Sequence, residues 1–248
     1  MATLDWDYSA LAEHYRQRAP YAPSALHELF ATIGLPARSA CIDIGAGTGR
    51  LTASLLAEGL QVTAIEPNAA MRAIGSDECP QAHWLPTRGE ATGLPDRCCR
   101  LVTFGSSFNV LAADAALRES ARLLRPGGWL VCLWNHRDLD DPLQAQLQAV
   151  IGGRVAGYDH GRRRDDPTPQ LLAGNLFGDI VPLCGSVLHT LSCADFVDGF
   201  RAHATLIRQA GSALPDVLEA LAAVLHDRTH ITVPFITRIY AARLKHRA

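Results

Sequence analysis

A chain of 248 residues, 48% of them hydrophobic and 19% charged, can bury a sizeable core without disulfide or metal staples, and its length fits one large domain or one domain with a cap. The near balance of 23 basic and 25 acidic residues supplies no global attraction to nucleic acid or an anionic membrane. No apolar run approaches the roughly 20 residues that span a bilayer, Asp5 and Asp7 stand where a leader would be basic, and seven cysteines without a Cys-x-x-Cys pair argue against a disulfide framework or a metal site, so the expectation is a soluble, cytoplasmic protein.

Residues 40–44 read as a buried strand running into a glycine-rich turn. A helix follows, with Leu51, Leu55 and Leu56 on one face and Gly59 as its stop. Residues 60–65 form a second strand, after which Pro67 suits the first turn of the next helix. Apolar runs at 100–104 and 129–134 read as further strands. Between them lies an amphipathic helix with Leu117, Ala121 and Leu124 inward and Arg118, Glu119, Arg122 and Arg125 outward, ended by Pro126-Gly127-Gly128. Strand, helix and strand in this order imply right-handed crossovers and an α/β, doubly wound, mostly parallel sheet.

Beyond residue 135 the pattern loosens. Residues 141–151 are compatible with a helix, whereas 152–170, rich in Gly, Arg, Asp and Pro, read as a mobile loop. Two late strands are expected at 186–191 and 231–241, with helical segments near 194–209 and 214–226 between them. Pro234 marks a bulge or an edge in the last strand.

The strongest chemical signal is Asp43-Ile44-Gly45-Ala46-Gly47-Thr48-Gly49-Arg50, directly after a strand and opening a helix. Glycines let the backbone turn tightly and approach a ligand, and the helix N-terminus offers free N–H donors. The spacing is Gly-x-Gly-x-Gly, Asp43 stands at the strand end, and Glu66 ends the second strand, where a carboxylate can accept from both hydroxyls of a ribose.

In these features the sequence resembles the class I S-adenosylmethionine-dependent methyltransferases, in particular the type 11 small-molecule group. The resemblance extends to Tyr15 with Arg18-Ala19-Pro20-Tyr21, to Glu66-Pro67-Asn68 and Met71, to Arg125-Pro126-Gly127-Gly128 before the fifth strand, and to the closing strand at 231–243. It implies a seven-stranded Rossmann-like fold. One domain would divide into an N-terminal helical lid (1–36), a cofactor-binding core (37–135), a substrate-selecting cap (136–200) and a closing helix and antiparallel strand (201–248). It further implies S-adenosyl-L-methionine as cofactor, S-adenosyl-L-homocysteine as product and a small molecule as methyl acceptor.

Carried over by position, the cofactor set is Tyr15, Arg18, Tyr21, Asp43, Gly45, Ala46, Gly47, Gly49, Glu66, Pro67, Met71, Glu90, Ala91, Ser106, Ser107 and Phe108. Glu90 would accept from the adenine amine and the Ala91 N–H would face a ring nitrogen. The acceptor set is Phe108, Asn109, Asn135, His136, His160 and Arg164, with Asn109 and His136 as the catalytic candidates. One departure stands out: where many relatives carry an aromatic-histidine-tryptophan triplet, this chain has Phe108-Asn109-Val110. Asparagine is no general base, so either the acceptor is already nucleophilic or a base comes from elsewhere, with His136 ahead of His189 and His230. The basic run His160-Gly161-Arg162-Arg163-Arg164 reads as a carboxylate or phosphate clamp, an RNA anchor, or a solvated run balanced by Asp165 and Asp166. RNA or protein methylation, a nicotinamide-dependent oxidoreductase, and a non-catalytic cofactor-binding protein are the competing functions.

Overall fold

The computed structural model describes residues 9–245. Its strands are β1 (Ala40–Ile44), β2 (Gln61–Ile65), β3 (His83–Leu85), β4 (Cys99–Gly105), β5 (Leu124–Arg137), β6 (Phe177–Ser192) and β7 (His230–Leu244). The helices are α1 (Pro23–Ile33), α2 (Arg50–Ala57), α3 (Ala69–Glu78), α4 (Ala113–Leu123), α5 (Pro142–Arg154), α6 (Thr168–Ala173), α7 (Cys193–Asp198), α8 (Ala204–Ala210) and α9 (Leu214–Val224). The strands form one sheet in the order β3-β2-β1-β4-β5-β7-β6, with β7 alone antiparallel to its neighbours. This is the expected α/β, Rossmann-like architecture, a doubly wound, mostly parallel seven-stranded sheet.

Side-chain alternation along the central strands builds a core on each face. Cys41, Leu101, Val131 and Leu133 meet α1 and α2 on one side. Ile42, Ile44, Val102, Phe104, Leu130 and Cys132 meet α4 on the other. A separate cluster joins Leu147 and Ile151 of α5 to Phe196, Leu206, Val217 and Leu221, over Ile231 and Val233 of β7. The strand order reverses between β1 and β4, and the carboxyl ends of these strands open the crevice where ligands of such sheets bind.

Several local expectations change in the structure. Helix α3 starts at Ala69 because the Asn68 side chain caps it, accepting from the Met71 N–H at 3.0 Å; Pro67 lies before the cap rather than in the first turn. Pro126-Gly127-Gly128 does not stop α4, which ends at Leu123. It forms instead a bulge at the start of β5, where the register jumps from Cys99↔Leu124 to Leu101↔Trp129. Residues 152–170 hold the last turn of α5, a 3-10 turn at Gly161–Arg164 and the start of α6. Strand β6 begins nine residues before the expected 186, as an edge strand that tolerates Pro182. Pro234 is in an interior strand, but it lies where the β5–β7 ladder ends, just past Arg137↔Phe235: its carbonyl accepts from the Asp138 N–H at 2.9 Å, and its missing N–H leaves that pair with a single bond.

Glu119 corrects the expected outward face of α4: its carboxylate is buried and accepts from the Thr92 N–H (2.8 Å), the Thr92 hydroxyl (2.6 Å) and the Arg122 guanidinium (2.7 and 2.8 Å). Burial opposes ionisation, but these donors together hold its pKa at about 2. A depressed carboxylate stabilises the fold fully above its ordinary pKa, and that stability is lost as pH falls from there through about 2. Glu119→Ala leaves buried donors unmatched and is expected to destabilise the protein by about 2–4 kcal/mol; denaturant melts should show the difference at neutral pH and its decline on acidification.

Candidate functional site

The loop after β1 is held by backbone bonds and by one carboxylate. The N–H groups of Gly45 and Ala46 donate to the Ile65 carbonyl at 2.9 and 3.0 Å. Gly45 adopts φ +69°, and a Cβ there would stand 2.5 Å from the Ser107 Cβ, so only glycine fits between β1 and the end of β4. Glu66 accepts from the Gly47 N–H (2.9 Å) with one oxygen and the Asn68 N–H (2.8 Å) with the other. Burial raises its pKa against those bonds and Arg72. Asp43 is 1% exposed and accepts the Thr52 and Thr103 hydroxyls at 2.7 and 2.9 Å; burial outweighs both bonds and lifts its pKa to about 6.

These groups open onto a cavity of about 800 Å³. Of the sequence-expected cofactor residues it is lined by Tyr15, Arg18, Tyr21, Asp43, Gly45, Ala46, Gly47, Glu66, Pro67, Met71, Glu90, Ser106 and Ser107. Ser106 takes φ +59° and its hydroxyl lies 3.2 Å from that of Tyr21. Three residues fall outside the lining. Gly49 lies behind the loop, where a Cβ would meet Cys79 and Gly75. The Ala91 N–H is spent on the Arg88 carbonyl at 3.2 Å, so it is not available to a ring nitrogen. Phe108 is buried edge-on against Phe104, with ring centroids 5.3 Å apart. Its aromatic character satisfies the core.

The same cavity continues past Asn109, Asn135, His136, His160 and Arg164. The Asn109 amide oxygen accepts from the Trp134 indole N–H at 3.0 Å, which turns its amide nitrogen into the available group. Asn135 acts as a tether: its nitrogen donates to the Ala19 and Pro20 carbonyls (3.2 and 2.7 Å) and its oxygen accepts from Thr237 (2.5 Å). His136 is pushed down to about 3 by burial and then by Arg164, Arg163 and Arg238, so its imidazole is neutral and weakly basic. His189 also lines the cavity, whereas His230 is exposed outside it.

Sequence reasoning missed Arg137, Tyr158, Phe200 and His203, which close the far wall. Arg137 donates to Gln144 (3.1 Å) and Gln148 (2.9 Å) of α5 and stacks over Phe200 at 5.2 Å. His203 caps α8, accepting from the Leu206 N–H at 3.1 Å. No motif joins these residues, because Arg137 ends β5, Tyr158 follows α5, Phe200 lies in the 3-10 turn Gly199–Ala202 and His203 caps α8. The roof is the 3-10 turn Glu13–Gln17 and Arg18, tied to α7 and the turn Gly199–Ala202 by His14 to Asp198 (2.5 Å), Gln17 to Asp195 (3.3 Å) and Arg18 to the Ala202 carbonyl (3.2 Å).

Residues 42–132 match the methyltransferase domain family. An uncharacterized methyltransferase of Mycobacterium tuberculosis is 36% identical over 145 residues, 58% of each chain. A ubiquinone/menaquinone biosynthesis C-methyltransferase of Rubrivivax gelatinosus is 33% identical over 134 residues, 51% of this chain and 53% of that one. The chain therefore spans little more than half the length of the curated relatives it matches. Among solved structures, a putative type II methyltransferase from Anaeromyxobacter dehalogenans superposes with a TM-score of 0.60 at 21% identity, covering 92% of this chain and 99% of that one. A phosphoethanolamine N-methyltransferase of Haemonchus contortus, in complex with phosphomonomethylethanolamine and S-adenosylhomocysteine, gives 0.56 at 14% identity over 96% and 58%.

Proposed function

We propose that this chain is a class I S-adenosylmethionine-dependent methyltransferase that moves the methyl group of S-adenosylmethionine to an oxygen or nitrogen of a small-molecule metabolite. The observation that carries this reading is one continuous cavity, with the glycine loop, Asp43 and Glu66 at one end and Asn109 and His136 at the other. The residues present fit the cofactor. Asp43 faces its ammonium end, directly or through water, and Glu66 has lone pairs left for ribose hydroxyls beside its two backbone bonds. Met71 and Glu90 serve the adenine. Carbon methylation is the second reading, favoured by the named C-methyltransferase among the relatives.

When bound, the cofactor supplies an electrophilic methyl group, and the chain's work is placement. Holding two reactants in line is worth about 7–11 kcal/mol. Asn109, its oxygen fixed by Trp134, presents an N–H toward an acceptor heteroatom. His136, kept neutral, accepts a hydrogen bond without removing a proton efficiently. The acceptor is therefore one that is already nucleophilic at working pH, and the cap across 136–200 selects it.

His136→Ala is expected to lower turnover roughly tenfold or more by loss of acceptor placement, with unchanged S-adenosylhomocysteine affinity. At saturating S-adenosylmethionine the pH dependence of parent turnover should lack a limb near the ordinary histidine pKa, since His136 stays neutral down to about 3. Unaltered turnover would remove His136 from the site. Mass spectrometry of metabolite mixtures incubated with the protein and S-adenosylmethionine reads the methylation itself; a product one CH₂ heavier supports the reading, and salt-sensitive binding of bulk RNA would favour the nucleic-acid alternative.

A further inference from the structure

The cavity is divided by charge. Asp43, Glu66 and Glu90 stand at the glycine-loop end, with Arg50 and Arg88 beside them. The cap end holds Arg18, Arg137, Arg163, Arg164 and Arg208 against a single lining carboxylate, Asp195, whose oxygens are taken up by Gln17 (3.3 Å) and Ser192 (2.7 Å). Arg137 donates only to the neutral side chains of Gln144 and Gln148, and Arg164 donates to the Arg137 carbonyl at 3.1 Å. Among the described residues neither guanidinium has a carboxylate partner. A partly buried cation without a counter-charge destabilises a fold. Here burial pulls Arg137 down to about 10 and lowers Arg164 as well. The same arginines help keep His136, His160 and His203 neutral, behind burial as the main cause.

We infer that the methyl acceptor carries an anionic oxygen group, a carboxylate or a phosphate, which binds at the cap end of the cavity against Arg137 and Arg164. The inference rests on the methyltransferase reading and narrows its substrate class. Guanidinium forks match both groups geometrically and remain charged where a lysine would lose its proton. Two Arg residues at one end of an enclosed site also repel a cationic acceptor, so quaternary and primary ammonium compounds without an anionic group are excluded. At the other end, the carboxylates suit the ammonium and sulfonium of the cofactor. The charge division thus orients the two reactants in opposite senses along one cavity.

The experiment is thermal unfolding of the full chain saturated with S-adenosylhomocysteine, with sodium succinate, sodium phosphate or sodium chloride at matched ionic strength, for the parent and for Arg164→Gln and Arg164→Ala. The expected result is a rise of roughly 2–4 °C over chloride in the parent, lost in Arg164→Ala and partly kept in Arg164→Gln, which retains a donor. A rise with succinate alone identifies a carboxylate, and one with phosphate alone identifies a phosphate. No rise over chloride with either anion, or an equal rise in Arg164→Ala, overturns the inference. The S-adenosylhomocysteine titration separates the two levels: if it stabilises the parent while neither anion does, the substrate class is wrong and the cofactor reading stands; if it does not bind, the cofactor reading fails first.

Discussion

Asp43→Asn is expected to make the ligand-free protein more stable at neutral pH while weakening S-adenosylmethionine binding tenfold to a hundredfold. Asp43 is buried, and its pKa is raised to about 6. A raised acid favours its protonated form in the folded state, so ionisation penalises the fold. The penalty is absent below the ordinary aspartate pKa, grows as pH rises from there to about 6, and is complete above it. At neutral pH it is about 3 kcal/mol, or roughly 6–12 °C in melting temperature. Asparagine keeps an oxygen for one threonine hydroxyl and an N–H for the other, so Thr52 and Thr103 stay satisfied. The variant should therefore melt higher than the parent at neutral pH and equally at about pH 4. A carboxylate retained at a stability penalty is the signature of a binding group, and on the proposed role its loss removes the counter-charge of the cofactor's ammonium. Parent affinity should likewise fall as pH drops through about 6. A variant that melts higher and binds equally well would show that Asp43 does not serve the cofactor.

Glu66→Ala carries the second large effect. Hydrogen bonds to a charged group contribute about 1.5–3 kcal/mol each, and on the proposed reading two ribose hydroxyls depend on this carboxylate, so affinity should fall by about 10²–10⁴-fold. The substitution also frees the Gly47 and Asn68 N–H groups that Glu66 holds at 2.9 and 2.8 Å. Gly47 and Asn68 line the open cavity, where water can reach their N–H groups, so the melting temperature should fall by only a few degrees, about 2–4 °C. A collapse of the fold with affinity intact in the surviving fraction would assign Glu66 to loop structure alone. Calorimetry and melting on the same samples separate the outcomes.

These two residues were legible in the sequence because their positions are set by contiguous motifs. Asp43 and the glycines stand at one strand end, Glu66 at the next, and parallel pairing of β1 with β2 brings them together by register. Local signals of this kind also marked β1, α2, β2 and β4. What escaped was non-local. Glu119 looked like a surface acid by helical spacing, yet the Thr92 turn folds over it. Phe108 stood at a family position, but its neighbour Phe104 draws it into the core. Arg137 was a charged residue at a strand end, and only the packing of α5 and the turn Gly199–Ala202 makes it a wall of the cavity. Strand β6 was shortened because Asp179, Pro182 and Gly185 weaken strand propensity at an edge, where β7 pairing supplies the order.

The departure at Asn109 acquires a physical reading from the same packing. A histidine at that position would meet the Trp134 indole N–H, which asparagine accepts through its amide oxygen at 3.0 Å. On the proposed reading the Asn109 amide is a positioned donor at this place, and Arg137 and Arg164 stand at the other end of the same cavity. That reading calls for an acceptor that needs orientation and charge neutralisation more than deprotonation.

The central claim is the cofactor, and calorimetric titration of the full chain with S-adenosylhomocysteine, S-adenosylmethionine and NAD tests it most directly. The account predicts one binding site for each adenosyl ligand, weakened in Asp43→Asn and Glu66→Ala, and no heat with NAD. Binding of NAD with no response to either adenosyl compound would contradict it and return the cavity to the nicotinamide-dependent reading that the Glu66 carboxylate also allows.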